Sequence, residues 1–483
     1  MRLKLGEIRA VVVSSASAAK EILKTHDIAF ASRPIYASIN TISCGGKDIA
    51  FAPYGDFWRQ MRRLCLLELF SAKRLQSFRY IREEEISSLV RSIAEAAGVS
   101  VDLSDKLSQL SNNITSRAVV GTKMADQKLF QSAVAGVVEL ASGFNAADLF
   151  PSMPFIARIT VSNFAISGRH SGGKTEIWSS PVRFQRKVEG CQQKLEHISE
   201  EIIQEHKKKQ GKLFPTVEDI TDVLLRIQAE GNLHFPLTND HIKAVISGLL
   251  VAGTSTTATV MAWAMSELIR NPAAKAKAQD EVRKTFGCRG MPNMIAGEEM
   301  MIGDKLSYLK LVIKETLRMH PPAPLLLPRE NQESREVMGY EIPAKTMVMV
   351  NAWAIGRDSG SWVEPDAFRP ERFDGSDLEF KGNHLELIPF GGGRRICPGM
   401  IFGLTTIEMA LAHLLYYFDW EYSPEAGEEL DMTEAPGLST ERKFPLLRLE
   451  PVNYSLEACS VICSRPTPYL TLQFAPGFFW LRN

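Results

Sequence analysis

Apolar residues recur every three or four positions along most of the chain between Ser17 and about residue 330, a spacing typical of amphipathic helices. Short runs of β-branched and alternating residues predict strands at 3–6, 10–13, 340–343 and 346–351. The pattern predicts a mainly α fold with small β-sheets, in a single large domain without an internal repeat. The clearest predicted helices cover residues 17–26, 57–70, 81–97, 191–209, 304–319 and 402–418.

The longest apolar stretch runs from residue 242 to residue 265. It is long enough to span a membrane, since a span needs about 20 apolar residues. It also carries Lys243, two glycines and a cluster of Ser and Thr between Thr254 and Thr259. Because this polar cluster falls in the middle of the stretch, we interpret it as a long buried core helix rather than a membrane span.

The composition is that of a globular protein, with 483 residues of which 45% are hydrophobic and 23% charged. The formal net charge is zero, which does not favour nucleic-acid binding. The seven cysteines are scattered and form no Cys-x-x-Cys pair, so their spacing indicates neither a disulfide framework nor a zinc site. This use of cysteine fits a reducing compartment.

One cysteine, Cys397, ends a glycine-rich loop that starts at Pro389 and is followed by an apolar helical stretch at 400–404. The N-terminal end of that helix would lower the pKa of the thiol, and a thiolate suits a soft metal centre. Arg395 is placed to meet a carboxylate on whatever carries the metal. Haem meets these demands, and the competing interpretation is a structural glycine turn beside a buried cysteine.

The pattern Phe390-x-x-Gly393-x-Arg395-x-Cys397-x-Gly399 resembles the cysteine-ligand loop of the cytochrome P450 family. The resemblance implies the cytochrome P450 fold and haem b as cofactor. It makes Cys397 the iron ligand and Arg395, Phe390 and Gly393 cofactor-binding residues. It covers residues 1–452 and is most similar to plant microsomal members that oxidise terpenoids and alkaloids, on the segments 25–34, 54–59 and 394–399.

Further motifs of this family occur upstream. Trp58-x-x-x-Arg62 and Pro328-Arg329 resemble segments that contact the haem propionates, so Trp58, Arg62 and Arg329 are expected to bind the cofactor. Arg59 and Arg63, on the same predicted helix, are expected to stay on the surface as part of a basic patch for an acidic electron donor.

Glu315 and Arg318 lie three residues apart and therefore on one face of a predicted helix. A Glu-x-x-Arg pair alone means little, because most such pairs are solvated and contribute little to stability. The downstream segment at 368–373 supplies Arg372. The resemblance implies that Glu315, Arg318 and Arg372 form a buried network that positions the cysteine loop and takes no part in the chemistry.

Residues 252–257, Ala-Gly-Thr-Ser-Thr-Thr, fall midway along the long helix, where the family has its oxygen-activation groove. The resemblance implies that Gly253 allows a local helix distortion and that the Thr256 hydroxyl orients water and proton delivery. The family usually has Asp or Glu where this chain has Ser255, and a serine cannot relay a proton as a carboxylate does. The expected apolar pocket comprises Ala252, Ala323, Leu325, Leu326 and Leu438, with the region of Phe144.

The expected function is that of a haem-thiolate monooxygenase, which inserts one oxygen atom from O2 into an apolar small molecule, with electrons that a reductase takes from NADPH. The implied partners are NADPH-cytochrome P450 reductase, the substrate and the endoplasmic reticulum membrane, on its cytosolic face, and a monomer is expected. One alternative is a reductase-independent haem-thiolate isomerase or dehydratase. The other is a non-catalytic or defective haem-binding gene product.

Two regions differ from the family pattern. Residues 158–184 lack helical periodicity, and residues 453–483 form an apolar tail with no counterpart in the family. Translated intron or read-through sequence would produce such segments, and so would a divergent loop and tail. The membrane anchor and the proline-rich hinge that open the family's sequences are absent, since this chain starts at the first predicted strand.

Overall fold

A computed structural model of the chain describes residues 1–96, 100–124, 126–140, 146–152, 181–209, 217–233, 235–286, 305–422, 429–446 and 449–453. Phe144, most of the predicted atypical segment 158–184 and the tail from residue 454 lie outside these residues. The predicted segment 158–184 is corrected at its end, because a helix begins at Pro181.

The main sheet joins the two ends of the chain. Its strand order is β1-β2-β6-β3, with β1 and β2 antiparallel and β2 and β6 parallel. Val11 lies opposite Val348, so the N-terminal hairpin pairs with a strand more than 300 residues later. The eight strands of the described residues are β1 Arg2–Leu5, β2 Ile8–Val13, β3 Arg329–Glu330, β4 Arg335–Val337, β5 Tyr340–Ile342, β6 Met347–Val350, β7 Phe418–Tyr422 and β8 Leu449–Asn453.

Helices make up most of the fold, as the apolar spacing predicts. Two of them, α1 and α3, continue into π-helical turns at Glu21–Thr25 and Cys65–Leu69. In the described residues they are α1 Ala16–Lys20, α2 Ala37–Ile42, α3 Asp56–Leu64, α4 Ala72–Ser77, α5 Arg79–Ala94, α6 Leu103–Val120, α7 Gln127–Leu140, α8 Ala146–Leu149, α9 Pro181–Lys209, α10 Ile220–Glu230, α11 Asn239–Arg270, α12 Pro272–Phe286, α13 Ser307–Met319, α14 Ala352–Ile355 and α15 Met400–Tyr417.

Helix α11 forms the centre of the helical layer. It begins where the side chain of Thr238 caps the first turn, and it packs against α6 and α15. A Cβ on Gly253 would lie 2.9 Å from Cγ2 of Thr115, so glycine allows α6 to approach this closely. The helix is continuous through Gly253, so its role here is close packing and the helix shows no break at that point.

Helices α11 and α15 are long and apolar enough to cross a membrane by length and composition. In this structure 67% of the apolar window of α11 and 61% of that of α15 are buried inside the protein. Both windows therefore have the character of core helices, which agrees with the interpretation of the stretch at 242–265.

Candidate functional site

The Cys397 loop is closed by its own backbone and by one glycine. A single 3₁₀ turn covers Gly393–Arg395, and α15 begins five residues later. The N–H of Cys397 donates to the carbonyl of Phe390 at 3.0 Å. Gly393 has a φ of +64°, and a Cβ there would lie 2.3 Å from the carbonyl oxygen of Leu23. Position 393 therefore requires glycine, because a Cβ there would collide with the backbone of the π-helical turn at Glu21–Thr25.

Cys397 is exposed, yet burial raises the pKa of its thiol. Both observations hold if the thiol lies on the wall of an internal cleft, where protein desolvates the thiolate and the sulfur stays accessible. The N–H of Gly399 and the charge of Arg62 lower this pKa, but burial outweighs them. The expectation of a lowered pKa is therefore wrong for the free thiol. A bound metal cation would still hold it as thiolate.

Arg395 is buried beside the cysteine loop with one nitrogen left over. Its Nε donates to the carbonyl of Ala31 at 2.7 Å, and its Nη2 donates to that of Ala52 at 2.6 Å. The third nitrogen, Nη1, is buried without a hydrogen-bond partner among the described residues. Burial and then the positive charge of Arg329 lower the pKa of Arg395 to about 9. An anion at Nη1 would satisfy this donor and compensate the charge.

Two further buried arginines lie near Arg395. Arg33 donates to the carbonyls of Ala50 and Leu327, and burial, followed by the charges of Arg395 and Arg329, lowers its pKa. Arg329 donates to the carbonyl of Gly392 at 2.8 Å and pairs with a carboxylate oxygen of Asp27 at 3.3 Å. The sequence interpretation did not include Arg33, although its Arg-Pro dipeptide lies inside one of the segments that carry the resemblance.

Within the described part of the chain, Asp27 and Asp48 are the carboxylates that act on these three arginines, and they do not balance them. Asp48 is buried, and its burial raises the pKa of the carboxyl to about 6. Its Oδ1 accepts the N–H of Phe51 at 2.7 Å. One edge of the cleft therefore holds a surplus of buried positive charge, which an anionic ligand would neutralise.

Haem b fits these residues. The accessible thiol of Cys397 would bind the iron, and the unpartnered Nη1 of Arg395 would receive a propionate. Arg33 and Arg329 supply the surrounding positive potential. This assignment rests on the orphaned donor and the surplus charge, which an apolar ligand would leave unsatisfied.

Trp58 and Arg62 both lie beside the cysteine loop and the buried arginines, but they contact different groups. The indole N–H of Trp58 donates to the carbonyl of Ile49 at 3.0 Å, and Arg395 covers the ring face. Arg62 donates to the carbonyl of Ile396, the residue before Cys397. Each residue thus supports a cofactor-facing group, and direct contact of either with a propionate stays a prediction.

The middle of α11 packs against α15, the helix that follows Cys397. Ala252 is exposed there although the helix runs through the core, and Ser255 and Thr256 are partly exposed. The Thr256 hydroxyl donates to the carbonyl of Ala252 at 2.8 Å. Its proton is thereby engaged, so its oxygen is free to accept a hydrogen bond from water in the cleft. A Cβ on Gly403 would lie 3.7 Å from Oγ1 of Thr257, which places α15 directly against this part of α11.

The expected pocket residues occupy two other segments. Ala323, Leu325 and Leu326 are partly buried after α13, and Leu438 is partly buried near the C-terminal end of the described residues. Leu326 has a φ of +51°, unusual for a branched residue, and its Cδ1 lies 3.7 Å from a Cβ built on Gly391 of the cysteine loop. Phe144 lies outside the described residues, so its place in the pocket stays a prediction.

The structure brings Glu315, Arg318 and Arg372 together. Glu315 and Arg318 are fully buried and bond through two contacts, at 2.7 and 2.8 Å. Arg372 donates from Nε to Glu315 Oε1 at 2.8 Å. Arg318 also donates to the carbonyls of Gly356 and Pro365, at 2.6 and 2.7 Å. The network therefore ties α13 to the coil that precedes the cysteine loop.

Comparisons with known proteins identify the family of the chain. The family model described as cytochrome P450 matches residues 1–165 and 175–447. The chain is 47% identical to desmethyl-deoxy-podophyllotoxin synthase of Sinopodophyllum hexandrum, over 95% of this chain and 85% of that protein. It is 44% identical to premnaspirodiene oxygenase of Hyoscyamus muticus, over 92% and 84%.

Among solved structures, a zebrafish cytochrome P450 with progesterone superimposes with a TM-score of 0.73 at 25% sequence identity, covering 93% of this chain and 96% of that one. The family-model match includes the cysteine loop, the buried Arg33, Arg329 and Arg395 and the middle of α11. The chain belongs to the cytochrome P450 family and is a haem-thiolate monooxygenase that uses haem b, O2 and electrons from a redox partner.

Proposed function

We propose that this enzyme inserts an oxygen atom into an apolar terpenoid of plant secondary metabolism. The support for the proposal is the composition of the segments that are assigned to the cleft. Apart from Ser255 and Thr256, the residues assigned to it are aliphatic: Ala252, Ala323, Leu325, Leu326 and Leu438. Such a wall favours a hydrocarbon skeleton over a charged or strongly polar substrate. The similarity to a premnaspirodiene oxygenase supports the same substrate class.

Haem b bound through Cys397 would supply the activation of O2, with one oxygen atom transferred to the substrate and the other leaving as water. The chain contributes the environment of that chemistry. Arg395 and its buried neighbours hold the anionic edge of the cofactor, and the network of Glu315 holds the coil that leads into the cysteine loop. The leucine-rich segments orient the substrate and exclude bulk water from the cleft.

Protons for water formation would pass along the polar strip of α11. The Thr256 hydroxyl donates to the carbonyl of Ala252, which leaves its oxygen able to accept a hydrogen bond from water. Ser255 offers a hydroxyl where the family usually has a carboxylate, so it can position a water but cannot itself store and release a proton at neutral pH. The proton path therefore depends on Thr256 and on water chains.

The redox partner is proposed to be NADPH-cytochrome P450 reductase, and the enzyme is proposed to act as a monomer on the cytosolic face of the endoplasmic reticulum. Arg59 and Arg63 are exposed on α3, the helix whose Arg62 bonds the cysteine loop. Exposed cations this close to the thiolate suit an acidic electron donor. The catalytic unit is proposed to comprise residues 1–452, with residues 158–184 and 453–483 as additions to it.

The test is reconstitution of the purified enzyme with a plant P450 reductase and NADPH, with premnaspirodiene as the terpenoid, an aryl-tetralin lignan and an alkaloid as competing classes. We expect oxygenated product and NADPH consumption with the terpenoid. Product from the lignan or the alkaloid alone would overturn the substrate class. Product formed without reductase would overturn the monooxygenase reaction.

Two variants sharpen this test. Cys397→Ala should remove the thiolate-haem band of the carbon-monoxide difference spectrum, whereas Cys44→Ala, a partly exposed cysteine on another surface, should keep it. Leu326→Phe should change the ratio of terpenoid products more than the haem content. Identical products from Leu326→Phe and the native enzyme would exclude Leu326 from the pocket.

A further inference from the structure

A buried polar cluster surrounds His320, the residue that directly follows α13. Its Nε2 lies 2.9 Å from Oε1 of Glu267, and its Nδ1 lies 3.1 Å from Oε1 of Glu434. Each ring nitrogen therefore has a carboxyl group as its hydrogen-bond partner. The ring links an α11 residue to a residue of the C-terminal part of the chain.

The His320 ring also lies flat on the indole of Trp263, with 3.9 Å between the ring centroids and an interplanar angle of 0°. Trp263 is fully buried on α11, and the guanidinium carbon of Arg442 lies 5.1 Å from its ring centroid. Cations near an indole face are attracted to it, more strongly when desolvated. Stacking on Trp263 therefore fixes the plane of the His320 ring, and the hydrogen bonds fix both of its nitrogens.

The same cluster holds a turn formed by residues 434–442. The backbones of Glu434 and Arg442 form an isolated antiparallel β-bridge across this turn, and the indole N–H of Trp263 donates to the carbonyl of Thr440 at 2.6 Å. The Thr440 hydroxyl donates to the carbonyl of Pro321 at 2.7 Å. The turn is therefore bonded to α11 on one side and to the segment after α13 on the other.

Trp353 also connects Glu434 to the segment after α13. The indole N–H of Trp353 donates to Glu434 Oε1 at 3.3 Å. The backbone N–H of Trp353 donates to the carbonyl of Pro324 at 3.2 Å. One carboxylate oxygen thus receives two donors, each from a residue next to the segment that carries Ala323, Leu325 and Leu326.

We propose that His320 and Glu434 are specificity-determining positioning residues. They set the distance between the two segments that form the cleft wall, residues 321–327 and the turn 434–442 with Leu438. They touch neither substrate nor cofactor and act through the backbone that they fix. The inference rests on the proposed function, since it assigns these segments to the substrate cleft.

The physical reason is that this arrangement restricts the geometry of the two segments more strictly than apolar packing would. A buried charge network is a weak source of stability compared with apolar packing, but it accepts only one geometry because each donor needs its acceptor. Aliphatic contacts between the two segments would tolerate sliding. The bonded cluster does not, so the shape of the cleft between Leu438 and the leucines after α13 is fixed before a substrate enters.

The experiment compares Glu434→Gln with Glu434→Leu in the purified haem-loaded enzyme. Glutamine keeps an oxygen that accepts from His320 and Trp353, whereas leucine removes the acceptor. Two probes are titrated against the haem spectrum: imidazole, which is too small to reach the cleft walls, and ketoconazole, which must fit between them. Glu218→Leu is the matched control, because Glu218 is similarly exposed and bonds two arginines far from the cleft.

For Glu434→Leu we expect the Kd of ketoconazole to rise about tenfold or more and that of imidazole to change less than about twofold. Glu434→Gln and Glu218→Leu should bind both probes as the native enzyme does. Equal weakening of both probes, or unchanged binding of ketoconazole by Glu434→Leu, would overturn the proposal. So would a glutamine variant as impaired as the leucine variant, because the oxygen acceptor would then be irrelevant.

If Glu434→Leu yields no haem-loaded protein, Thr440→Val decides, since it removes only the bond to Pro321 and should produce the same selective loss of ketoconazole binding. If Thr440→Val binds ketoconazole as tightly as the native enzyme does, or loses affinity for both probes to the same extent, the result counts against the proposal. Failure of the proposed function would give a different result. The variants would show the expected selective loss of ketoconazole binding, but the native enzyme would oxidise no terpenoid.

Discussion

The guanidinium of Arg395 lies over the indole ring of Trp58, with its central carbon 4.1 Å from the ring centroid. The ring supports the plane of the guanidinium, while Ala31 and Ala52 fix two of its nitrogens. This leaves Nη1 as an oriented, unpaired donor. Trp58 therefore contributes to cofactor binding by holding the arginine, a role that its motif alone does not reveal.

The first prediction concerns this arginine. Arg395→Lys keeps the charge but lacks the planar fork that reaches two carbonyls and an anion at once. We expect haem transfer to apomyoglobin to be about tenfold faster than from the native enzyme, with the carbon-monoxide band in its usual position. Arg394→Lys, on the exposed neighbouring residue, should transfer haem at the native rate. Equal rates for the two variants would show that Nη1 holds no propionate.

The second prediction concerns the network of Glu315. Arg372→Ala removes a donor from a fully buried carboxylate and should lower the free energy of unfolding by about 3–5 kcal/mol, with little haem-loaded protein recovered. Arg369→Ala is the control. The Arg369 side chain is half exposed and pairs with Glu364, and only its backbone N–H bonds Glu315. It should cost about 1 kcal/mol or less, and similar losses in both variants would contradict the assignment.

The third prediction concerns Ser255. A carboxylate at this position would feed protons into the cleft, and general acid–base assistance is worth roughly 10²–10⁴-fold when nothing replaces it. Water and Thr256 replace much of it here, so the expected gain is modest. Ser255→Asp should raise product formed per NADPH and reduce hydrogen peroxide release, with little change in substrate affinity. A native enzyme already well coupled, and not improved by aspartate, would place the proton path elsewhere.

The fourth prediction concerns His413, which is buried in α15. Burial lowers the pKa of its ring to about 4, and Nδ1 donates to the carbonyl of Met409 at 2.7 Å. In the unfolded chain the ring has a pKa of about 6.5, so between these values the unfolded state binds the proton and the folded state does not. Stability is therefore present above pH 6.5 and is lost as the pH falls towards 4.

Between pH 7 and pH 5 this group alone should lower the free energy of unfolding by about 2 kcal/mol. Urea unfolding of the native protein and of His413→Gln at both pH values measures it. The glutamine variant should lose about 2 kcal/mol less than the native protein over this interval. The same pH dependence in both proteins would mean that other groups cause it.

The sequence located the residues that carry chemistry because their spacing is local. Cys397 with its glycines, Thr256 in its small-residue run and the pair of Glu315 and Arg318 are all recognisable within a few positions. The helical spacing likewise predicted α3 together with its π-helical turn, α11 and α15 to within about five residues at each end. These features are set by residues close together in the sequence, so they can be recognised without knowing the contacts that the segments make in the folded protein.

What the sequence missed depends on contacts between distant segments. Arg33 is defined as a cleft residue by carbonyls at Ala50 and Leu327, the latter 294 residues away. The pKa of Cys397 was predicted in the wrong direction because the helix effect is visible in the sequence, whereas the desolvation that outweighs it comes from the assembled protein. His320 stood beside a recognised motif, but its partners lie 53 and 114 residues away.

The arginine-lined edge of the cleft has a consequence for biosynthesis. Arg395 is fastened to Ala31 and Ala52 across 364 and 343 residues, so the edge does not exist until both ends of the chain have been made. An N-terminal segment emerging from the ribosome must wait, with its arginines unpaired, for residues that are translated near the end. Loading of the prosthetic group at this edge therefore follows synthesis of nearly the whole chain, because the residues that would hold it come from both ends.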